Sequence, residues 1–516
     1  MSYCTAQLRS NNQMARLLVG RAGSQTSRPA YAVAEDDRII RYGDIFSAAQ
    51  RWEESLAAHR VAPGHRVALL ADDPLTFIAS YISLLSAGVT VLPLNPQAAP
   101  AQLESHIEML GADLLATERP GSLDVRIPEW VAATEGAVPA QAPIASPRVA
   151  GAGSSPAVLL TSSGTTGAPK VVPLDLGQMF HVAGQVVRHH RLSARDRAYS
   201  PLPLFHVNAQ VMGVIGTMVA GSTLVVDRRF HRTAFWQRMD DWRITWCNTV
   251  PAIVAILARE DAPPEHVSAR LRFARSASAP LPVPVLRRFE ERTGISVLET
   301  YGMSEAAGQI TANPLDPTLR RPGSVGLPVG THLRVVDADG QLCQAGEVGS
   351  VEISGPAVID RYLVPGTVEG SRPACTDGEW LVTGDVGYRD DAGFVFLTAR
   401  ADDVINRSGE KVYPREVEEV LLAHTGVTDA AVVGQDDPVF GQCPVAYVVA
   451  GPGVEPALLA EQLQEYCLAR LERSKRPARL LVVDDLPKGP TGKVSKRILM
   501  TEGPGAVRTL AGARAS

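Results

Sequence analysis

The sequence predicts an α/β protein: a large N-terminal domain of parallel α/β subdomains plus a β-rich subdomain, followed by a small C-terminal α+β domain. Three observations support this. Strand-like and helix-like segments alternate in the N-terminal part, as they do in parallel sheets covered by helices. Between residues 322 and 396 the pattern changes to short β runs separated by glycines. After residue 400, helix and strand patterns are mixed again.

The alternation is clearest in the first of these regions. Residues 67–71 are predicted as a buried strand, and Asp73 and Pro74 can begin the next helix as its cap and first residue. Gly88 can end that helix in a left-handed conformation, and residues 90–93 form the next strand. Because this alternation of strands and helices is typical of a parallel sheet covered by helices, we expect the strands to be parallel.

The domain boundaries are predicted from the same changes in pattern. Residues 1–400 form the N-terminal domain, residues 401–500 form the C-terminal domain, and residues 501–516 are expected to be a disordered tail because they have little to bury. Residues 207–226 contain no charged side chain. Their glycines and polar residues favour a buried helix, a turn at Gly221 and a strand over a membrane span.

The composition excludes several classes of partner. With 50 basic and 55 acidic residues in 516, the formal net charge is −5, which gives no electrostatic case for nucleic acid or an anionic membrane. The six cysteines form no CxxC pair, so reduced thiols are expected. The first 30 residues lack a continuous apolar core. We therefore expect a cytoplasmic protein without an integral membrane segment; the oligomeric state is left open.

The strongest local pattern is the segment TSSGTTGAPK, which follows an apolar run. Its glycines allow backbone N–H groups to face an anion, and its hydroxyls and lysine add donors and positive charge. It is not a Walker A loop, because GxxxxGK[ST] is not satisfied. The segment predicts a phosphate-binding loop, whose contributing residues are Thr161, Ser162, Ser163, Gly164, Thr165, Thr166, Gly167 and Lys170.

This segment resembles the signature loop of the adenylate-forming superfamily, which includes acyl-CoA synthetases, the adenylation domains of peptide synthetases, and luciferases. Four further motifs follow in the family's order, so the resemblance extends from about residue 29 to residue 497. It implies the adenylate-forming fold, in which the N-terminal domain binds ATP and acid. It also implies that the C-terminal domain is mobile and carries a catalytic lysine.

The second motif is PLFHVN, in which His206 resembles the family's histidine beside the acid carboxylate and the channel for the second substrate. Adenylation domains of peptide synthetases carry an aspartate near this position. This chain has Val207 and Asn208 instead, so an α-amino acid is not expected as the acid.

The third motif is ETYGMSE, residues 299–305. The resemblance implies that Tyr301 lies near the adenine, that Thr300 contacts phosphate, and that Glu305 holds Mg²⁺. A carboxylate beside phosphates suits Mg²⁺, which uses few protein ligands. Other nucleotide-binding residues implied by the family motifs are Glu299, Gly302, Ser278, Ala279 and Pro280.

The remaining motifs lie towards the C-terminus. Asp385 and Arg400 resemble the pair that holds the ribose hydroxyls, where an acceptor and a forked donor are suitable. Asp402 resembles the hinge of the C-terminal domain, and Lys493 resembles the lysine of the adenylation step. The catalytic residues implied by the resemblance are Lys493, His206, Thr165 and Glu305.

The acid pocket is expected from three short segments, which contribute Asn208, Gly213, Ala277, Ala306, Ala307 and Gly308. The small side chains leave room for a medium-sized or cyclic apolar acid. Ala277 replaces the usual glycine of the family, and its methyl group narrows the pocket.

The implied reaction has two steps, with ATP, Mg²⁺ and a small-molecule carboxylic acid as the first participants. The acid attacks the α-phosphorus to form an acyl-adenylate, which is then transferred to an acceptor. Coenzyme A is the favoured acceptor, and an amine or amino acid, as in an amide synthetase, is the alternative. A separate carrier protein is a further acceptor. A non-catalytic binding relative is the hypothesis from another functional class.

Overall fold

The computed structural model describes residues 12–139, 155–162, 170–364, 370–375, 378–488 and 494–514. The helices are α1 (Gln13–Gln25), α2 (Tyr42–Ala58), α3 (Pro74–Ala87), α4 (Pro100–Leu110), α5 (Leu176–His189), α6 (Gly216–Ala220), α7 (Phe235–Asp241), α8 (Pro251–Leu257), α9 (Glu265–Arg270), α10 (Val283–Thr293), α11 (Pro414–Leu422), α12 (Pro456–Arg470) and α13 (Lys496–Glu502). The segment Asn208–Ile215, directly before α6, is wound as a π-helix.

The strands are β1 (Pro29–Val33), β2 (Ile39–Arg41), β3 (Arg66–Leu70), β4 (Thr90–Pro93), β5 (Leu114–Thr117), β6 (Glu129–Ala133), β7 (Gly136–Pro139), β8 (Val158–Ser162), β9 (Lys170–Leu174), β10 (Arg197–Ser200), β11 (Thr223–Val226), β12 (Trp246–Thr249), β13 (Phe273–Ser276), β14 (Val297–Met303), β15 (Gly308–Ala312), β16 (Leu327–Pro328), β17 (His332–Val336), β18 (Gly349–Ser354), β19 (Arg361–Leu363), β20 (Ser371–Pro373), β21 (Leu381–Arg389), β22 (Val395–Arg400), β23 (Ile405–Arg407), β24 (Glu410–Val412), β25 (Val427–Asp437), β26 (Gly441–Ala450), β27 (Arg479–Val483) and β28 (Thr509–Arg514).

Two large sheets form most of the N-terminal part. One has the order β16-β15-β14-β13-β12-β10-β11-β1-β2, and the other β20-β19-β9-β8-β4-β3-β5-β6-β7. The central pairs of both sheets, such as β12 with β13 and β3 with β4, are parallel. The outer pairs, such as β14 with β15 and β8 with β9, are antiparallel. The predicted α/β class is confirmed, with mixed rather than purely parallel sheets.

The β-rich region and the C-terminal region each form a smaller sheet. The first has the antiparallel order β17-β18-β21-β22. The second has the order β24-β23-β26-β27-β28, with β25 also paired to β26. One continuous buried cluster joins both large sheets and the antiparallel sheet, as Val67, Leu224 and Val351 illustrate. A separate cluster that includes Val432 and Leu463 forms the core of the C-terminal sheet and its helices.

Helix α3 shows how local sequence positions these elements. The Asp73 carboxylate accepts a hydrogen bond from the Thr76 N–H at 3.0 Å, and Pro74 occupies the first turn. Gly88 ends the helix with φ of +79°, a left-handed conformation that favours glycine. The side chains between these ends are largely buried, so the helix is held between layers of the core. The predicted cap, first residue and stop are confirmed.

The uncharged stretch of residues 207–226 is a buried helical segment followed by a strand, as predicted. The π-helix and α6 lead to Gly221, whose φ of +68° allows the turn into β11. Across the described ranges, no helix combines the length and apolar composition that crossing a membrane requires.

The expectation of a disordered tail over residues 501–516 is wrong for residues 509–514. These form β28, which pairs antiparallel with β27 and brings Leu480 opposite Ala513. An open strand edge offers unpaired N–H and C=O groups, which a segment with few apolar side chains can still satisfy. Low apolar content therefore does not prevent this segment from adding a strand.

Candidate active site

Strands β12, β13 and β14 end at one edge of the first sheet, and β13 and β14 bring two of the motif segments there. Because these strands are parallel, their C-terminal ends coincide, and Thr249 lies opposite Ser276, which lies opposite Glu299. The residues that follow each strand therefore meet at this edge, which is where open α/β sheets commonly bind ligands.

Tyr301, Asp385 and Arg400 form a hydrogen-bonded cluster at this edge. The Tyr301 hydroxyl donates to Asp385 Oδ2 at 2.5 Å, and Arg400 Nη1 donates to Asp385 Oδ1 at 2.9 Å. Arg400 Nη1 also donates to the Thr383 carbonyl at 3.1 Å. Burial and the neighbouring Asp385 carboxylate raise the pKa of Tyr301 well above its ordinary value. The structure thus joins a residue of β14 to the predicted ribose-binding pair on β21 and β22.

Two glycines allow the close approach of these segments. A Cβ on Gly302 would lie 1.8 Å from the carbonyl oxygen of Gly308, so the β14–β15 hairpin requires glycine there. Gly384 has φ of +75°, and a Cβ on it would lie 2.8 Å from Arg400 Nη2. A side chain at position 384 would therefore displace the guanidinium from Asp385.

Glu305 lies in a tight turn directly after β14, and its side chain is buried. Its Oε1 accepts a hydrogen bond from the Tyr362 hydroxyl at 3.2 Å. The ammonium of Lys170, the last residue of the predicted phosphate loop, lies 5.2 Å from the centre of the Tyr362 ring. Tyr362, which sequence reasoning missed, thereby links the predicted magnesium ligand to the end of the phosphate loop.

Glu305 offers a single carboxylate, which suits Mg²⁺ because this ion usually completes its coordination with substrate phosphates and waters. Within the described residues, no group of three or more His, Cys, Asp or Glu side chains could hold a metal ion. Glu305 is partly engaged by one neutral hydroxyl. Its acidic side chain therefore fits the role of a lone protein ligand.

The segment that follows His206 contacts the turn after β13. The His206 ring packs on Phe205, with ring centres 4.2 Å apart. Asn208 Nδ2 donates to Ser278 Oγ at 3.3 Å. Ser278 has φ of +76°, and Ala307, in another predicted pocket segment, has φ of +52°. Left-handed conformations of non-glycine residues are uncommon and are enriched at functional sites.

The predicted acid-pocket segments also approach one another. Ala277 is 5% exposed, and Ala306 and Ala307 are completely buried. A Cβ on Gly308 would lie 2.7 Å from the Met212 side chain, and one on Gly213 would lie 3.3 Å from that of Leu224. The small residues therefore allow close packing of the π-helix against β15 and β11.

Sequence reasoning also missed a buried polar group beside this pocket. Arg275, on β13, is 2% exposed, and its guanidinium donates to the side chains of Asn208, Asn248 and Gln309. The only sequence signal was an arginine in the short apolar strand FARS, which a surface strand could equally carry. Its partners lie on three other segments, so no local pattern could reveal them.

Several predicted residues take no part in these contacts. Thr161 is exposed at the end of β8, and Ser162 is paired in register with Lys170 of β9. Asp402 is exposed in the turn Ala401–Asp403 after β22, a position compatible with a hinge. Thr300 is buried, and its Oγ1 lies 3.5 Å from the Ser276 carbonyl. Ala279 is half-buried and Pro280 exposed.

The other predicted residues lie outside the described ranges. They are Ser163, Gly164, Thr165, Thr166 and Gly167 of the phosphate loop, together with Lys493.

Glu299 has an unusual environment at the same edge. It is 2% exposed, and its Oε1 accepts a hydrogen bond from the Leu281 N–H at 3.3 Å. Burial raises the pKa of its carboxyl group from the ordinary 4.5 to about 7. The folded protein therefore holds a proton at Glu299 that the unfolded chain releases at lower pH.

This shift predicts a pH dependence of stability. The contribution of neutral Glu299 is fully present below pH 4.5 and is lost as pH rises through about 7, a change of about 3 kcal/mol. Thermal unfolding at pH 5 and pH 8 measures this loss of stability. Glu299→Gln is expected to make the loss between the two pH values smaller. Glu502→Gln, at an exposed position, is the control. Equal falls in the two variants would contradict the assignment.

Comparisons with known proteins agree with this arrangement. A family model described as "AMP-binding enzyme" matches residues 20–363, and one described as "AMP-binding enzyme C-terminal domain" matches residues 416–493. The chain is 36% identical to sulfoacetate–CoA ligase from Cupriavidus necator over 500 residues, covering 94% of this chain and 97% of that protein. It is 31% identical to oxalate–CoA ligase from Arabidopsis thaliana over 464 residues, covering 85% and 88%.

Solved structures give the same result. The o-succinylbenzoate CoA synthetase from Bacillus subtilis, in complex with its acyl-adenylate intermediate, has a TM-score of 0.77 at 28% identity and covers 93% of this chain and 96% of that chain. The same synthetase in complex with ATP and a magnesium ion has a TM-score of 0.77 at 28% identity, covering 93% and 98%.

Proposed function

We propose, because the chain belongs to the AMP-binding enzyme family, that it is an AMP-forming ligase that joins a carboxylic acid to coenzyme A through an acyl-adenylate. ATP and Mg²⁺ serve the first step, and coenzyme A is the second substrate. Coenzyme A is therefore favoured over an amine as the acceptor of the acyl group. A cytoplasmic location is part of the proposal, and the free thiols of Cys247, Cys443 and Cys467 agree with it.

The cluster of Tyr301, Asp385 and Arg400 is the observation that carries this proposal. The Asp385 carboxylate supplies acceptors for ribose hydroxyls, and Arg400 orients it and supplies donors. The Tyr301 hydroxyl donates a hydrogen bond to the same carboxylate. This contact fixes the position of the Tyr301 ring relative to the ribose-binding pair. Glu305 follows four residues later on the same segment, which supports adjacent sites for the nucleoside and its phosphates.

In the first step, a carboxylate oxygen of the acid attacks the α-phosphorus of ATP, and pyrophosphate leaves. Glu305 would hold Mg²⁺, which neutralises phosphate charge when bound. Lys170 and the loop before it contribute further positive charge and donors for the β- and γ-phosphates. Lys493 is assigned to the charge that develops between the carboxylate and the α-phosphate. Positioning and electrostatics therefore do most of the chemical work.

In the second step, the thiol of coenzyme A attacks the acyl carbonyl carbon and AMP leaves with the bridging oxygen. We assign the division between the two domains to residues 400 and 401, and the pivot to Asp402. Rotation about this exposed turn would withdraw Lys493 and open the path beside His206. The same site can then serve two steps that need different surroundings.

The names of the relatives supply candidate acids for this proposal. The relatives are named for sulfoacetate, oxalate and o-succinylbenzoate, each of which has a second acidic group. These acids differ in size and shape, so the names do not select one of them.

A panel of carboxylic acids tests the proposal. Pyrophosphate release that depends on acid, together with acyl-CoA detected by mass spectrometry, is the expected result. Acid-dependent pyrophosphate release with no acyl-CoA from any acid would contradict coenzyme A as the acceptor, and an amide formed with added amines would favour the alternative. Binding of ATP and acid without AMP release would contradict enzymatic activity.

Replacing Asp385 with alanine is expected to raise the KM for ATP by about 10- to 100-fold, because one charged hydrogen-bonding partner of the ribose is removed. Steady-state kinetics with varied ATP measure this. Tyr301→Phe is the matched control, since it removes only the hydroxyl that donates to Asp385 and keeps the ring. An unchanged KM for ATP in Asp385→Ala would contradict the ribose assignment.

A further inference from the structure

Arg275 is a buried cation held by neutral side chains. Its Nη1 donates to Asn208 Oδ1 at 3.0 Å and to Asn248 Oδ1 at 2.8 Å, and its Nη2 donates to Gln309 Oε1 at 3.3 Å. No ion pair joins Arg275 to a carboxylate among the described residues. We call Arg275 and its three amide partners the amide cage.

Within the described residues, no carboxylate compensates the positive charge of this cage. Burial lowers the pKa of Arg275 to about 9, so the guanidinium remains protonated at neutral pH. A buried charge is costly unless it is paired, and three amide oxygens provide only partial charges. An apolar acid, as expected from the small pocket residues, would leave this charge without a counter-ion.

The cage also has unused hydrogen-bond donors. A guanidinium has five N–H groups, and the three amide oxygens accept from only part of them. Arg275 Nε and Gln309 Nε2 are buried without an acceptor in the described part of the chain. The orientation of the Gln309 amide is set by its oxygen facing Arg275. Neighbouring donors without acceptors suit an anion with several oxygens.

The cage lies where the predicted acid-pocket segments meet. Asn208 also donates to Ser278 Oγ at 3.3 Å, in the turn that follows Arg275 along the chain. Gln309 directly follows Gly308, and Asn208 begins the π-helix just after His206. Through hydrogen bonds and chain connections, Arg275 is therefore linked to all three segments of the predicted acid pocket.

We propose that Arg275 binds a second anionic group of the acid, so that the substrates are short acids carrying a carboxylate or sulfonate besides the carboxylate that is activated. This inference rests on the proposed ligase function and names its substrate class. The anion supplies the missing counter-charge, and Asn208, Asn248 and Gln309 hold the guanidinium in place. A site built around such a pair rejects acids that lack the second charge, because binding them buries the cation unpaired.

The first test uses the wild-type protein with MgATP and coenzyme A. Each diacid is compared with its half-amide of nearly equal shape, a monoanion in which an uncharged amide replaces the second carboxylate: malonate with malonamate, and succinate with succinamate. Sulfoacetate and oxalate are added as further dianions, and propionate and butyrate as apolar acids. We expect kcat/KM for acyl-CoA formation to be at least about 10-fold higher for a dianion than for its half-amide. Equal or better use of the monoanionic acids would overturn the inference.

The second test uses Arg275→Met, which keeps a long apolar side chain but removes the charge. We expect kcat/KM for the preferred dianion to fall by about 10- to 100-fold, while that for its half-amide stays within about threefold. Arg275→Lys keeps the charge and is expected to retain part of the preference. An equal loss for both acids in Arg275→Met would indicate a purely structural arginine and overturn the inference.

Different results would contradict the ligase function and the anion site. If the wild type forms acyl-CoA only from apolar acids, the ligase function stands and the anion site is wrong. If no acid of either class releases pyrophosphate, the ligase function itself is contradicted. The wild-type comparison needs no variant, so the inference is testable even if Arg275→Met does not fold.

Discussion

Glu305→Gln is expected to lower acid-dependent pyrophosphate release by about 100- to 1,000-fold, the loss typical when one preorganised electrostatic group is removed from an active site. The substitution keeps the size of the side chain and its ability to accept from Tyr362, but it removes the charge that suits Mg²⁺. Initial rates at several Mg²⁺ concentrations measure the effect. A rate within threefold of wild type would contradict the role of Glu305.

Tyr362→Phe is the matched control for this experiment. It removes the hydroxyl that donates to Glu305 at 3.2 Å and keeps the ring beside Lys170. Because the Tyr362 hydroxyl acts through Glu305, we expect a loss of less than about 10-fold, as for one neutral hydrogen bond, with an increased need for Mg²⁺. Equal losses in the two variants would show that the hydrogen bond, rather than the carboxylate charge, is required.

Lys493→Ala is expected to lower adenylation by about 100- to 1,000-fold, by the same comparison with a single transition-state donor. The effect should be confined to the first step, because the C-terminal domain is proposed to rotate before the thiol attacks. Pyrophosphate exchange measures the first step, and acyl-CoA formation from a supplied acyl-adenylate measures the second. Near-normal exchange would reject the role of Lys493, which rests on the resemblance.

Lys488→Ala is the control on the same segment. The Lys488 ammonium lies 3.1 Å from the Asp429 carboxylate and 3.4 Å from that of Asp485, within the C-terminal region. Such partly exposed ion pairs contribute little to stability. We therefore expect both half-reactions of Lys488→Ala to stay near wild type, so that a loss in Lys493→Ala can be attributed to its position.

Local sequence was enough to predict elements whose causes are local. The cap at Asp73 and the stop at Gly88 each need only a few neighbouring residues, and both are confirmed. The turn at Gly221 is similar. The strand β28 was missed because its cause is the open edge of β27, a feature of the folded sheet that no composition can show.

In the candidate site, too, the sequence revealed residues that lie in motifs and missed residues whose partners are distant in the chain. Motif order pointed to Tyr301, Asp385 and Arg400, and the structure brings their side chains into one hydrogen-bonded cluster. Tyr362 and Arg275 were missed because their partners come from distant segments. A tyrosine or arginine in a short strand has no local feature that distinguishes a site residue from a surface one.

The acyl-adenylate intermediate is tested most directly by following an oxygen of the acid's carboxylate into AMP. The acid that supports the fastest pyrophosphate release is labelled with ¹⁸O in its carboxylate and incubated with ATP, Mg²⁺ and coenzyme A, and the nucleotide product is analysed by mass spectrometry. Transfer of one labelled oxygen to AMP with each acyl-CoA formed is predicted, because the oxygen that attacks the α-phosphorus leaves with AMP. Unlabelled AMP, or ADP with label in inorganic phosphate, would contradict an acyl-adenylate intermediate.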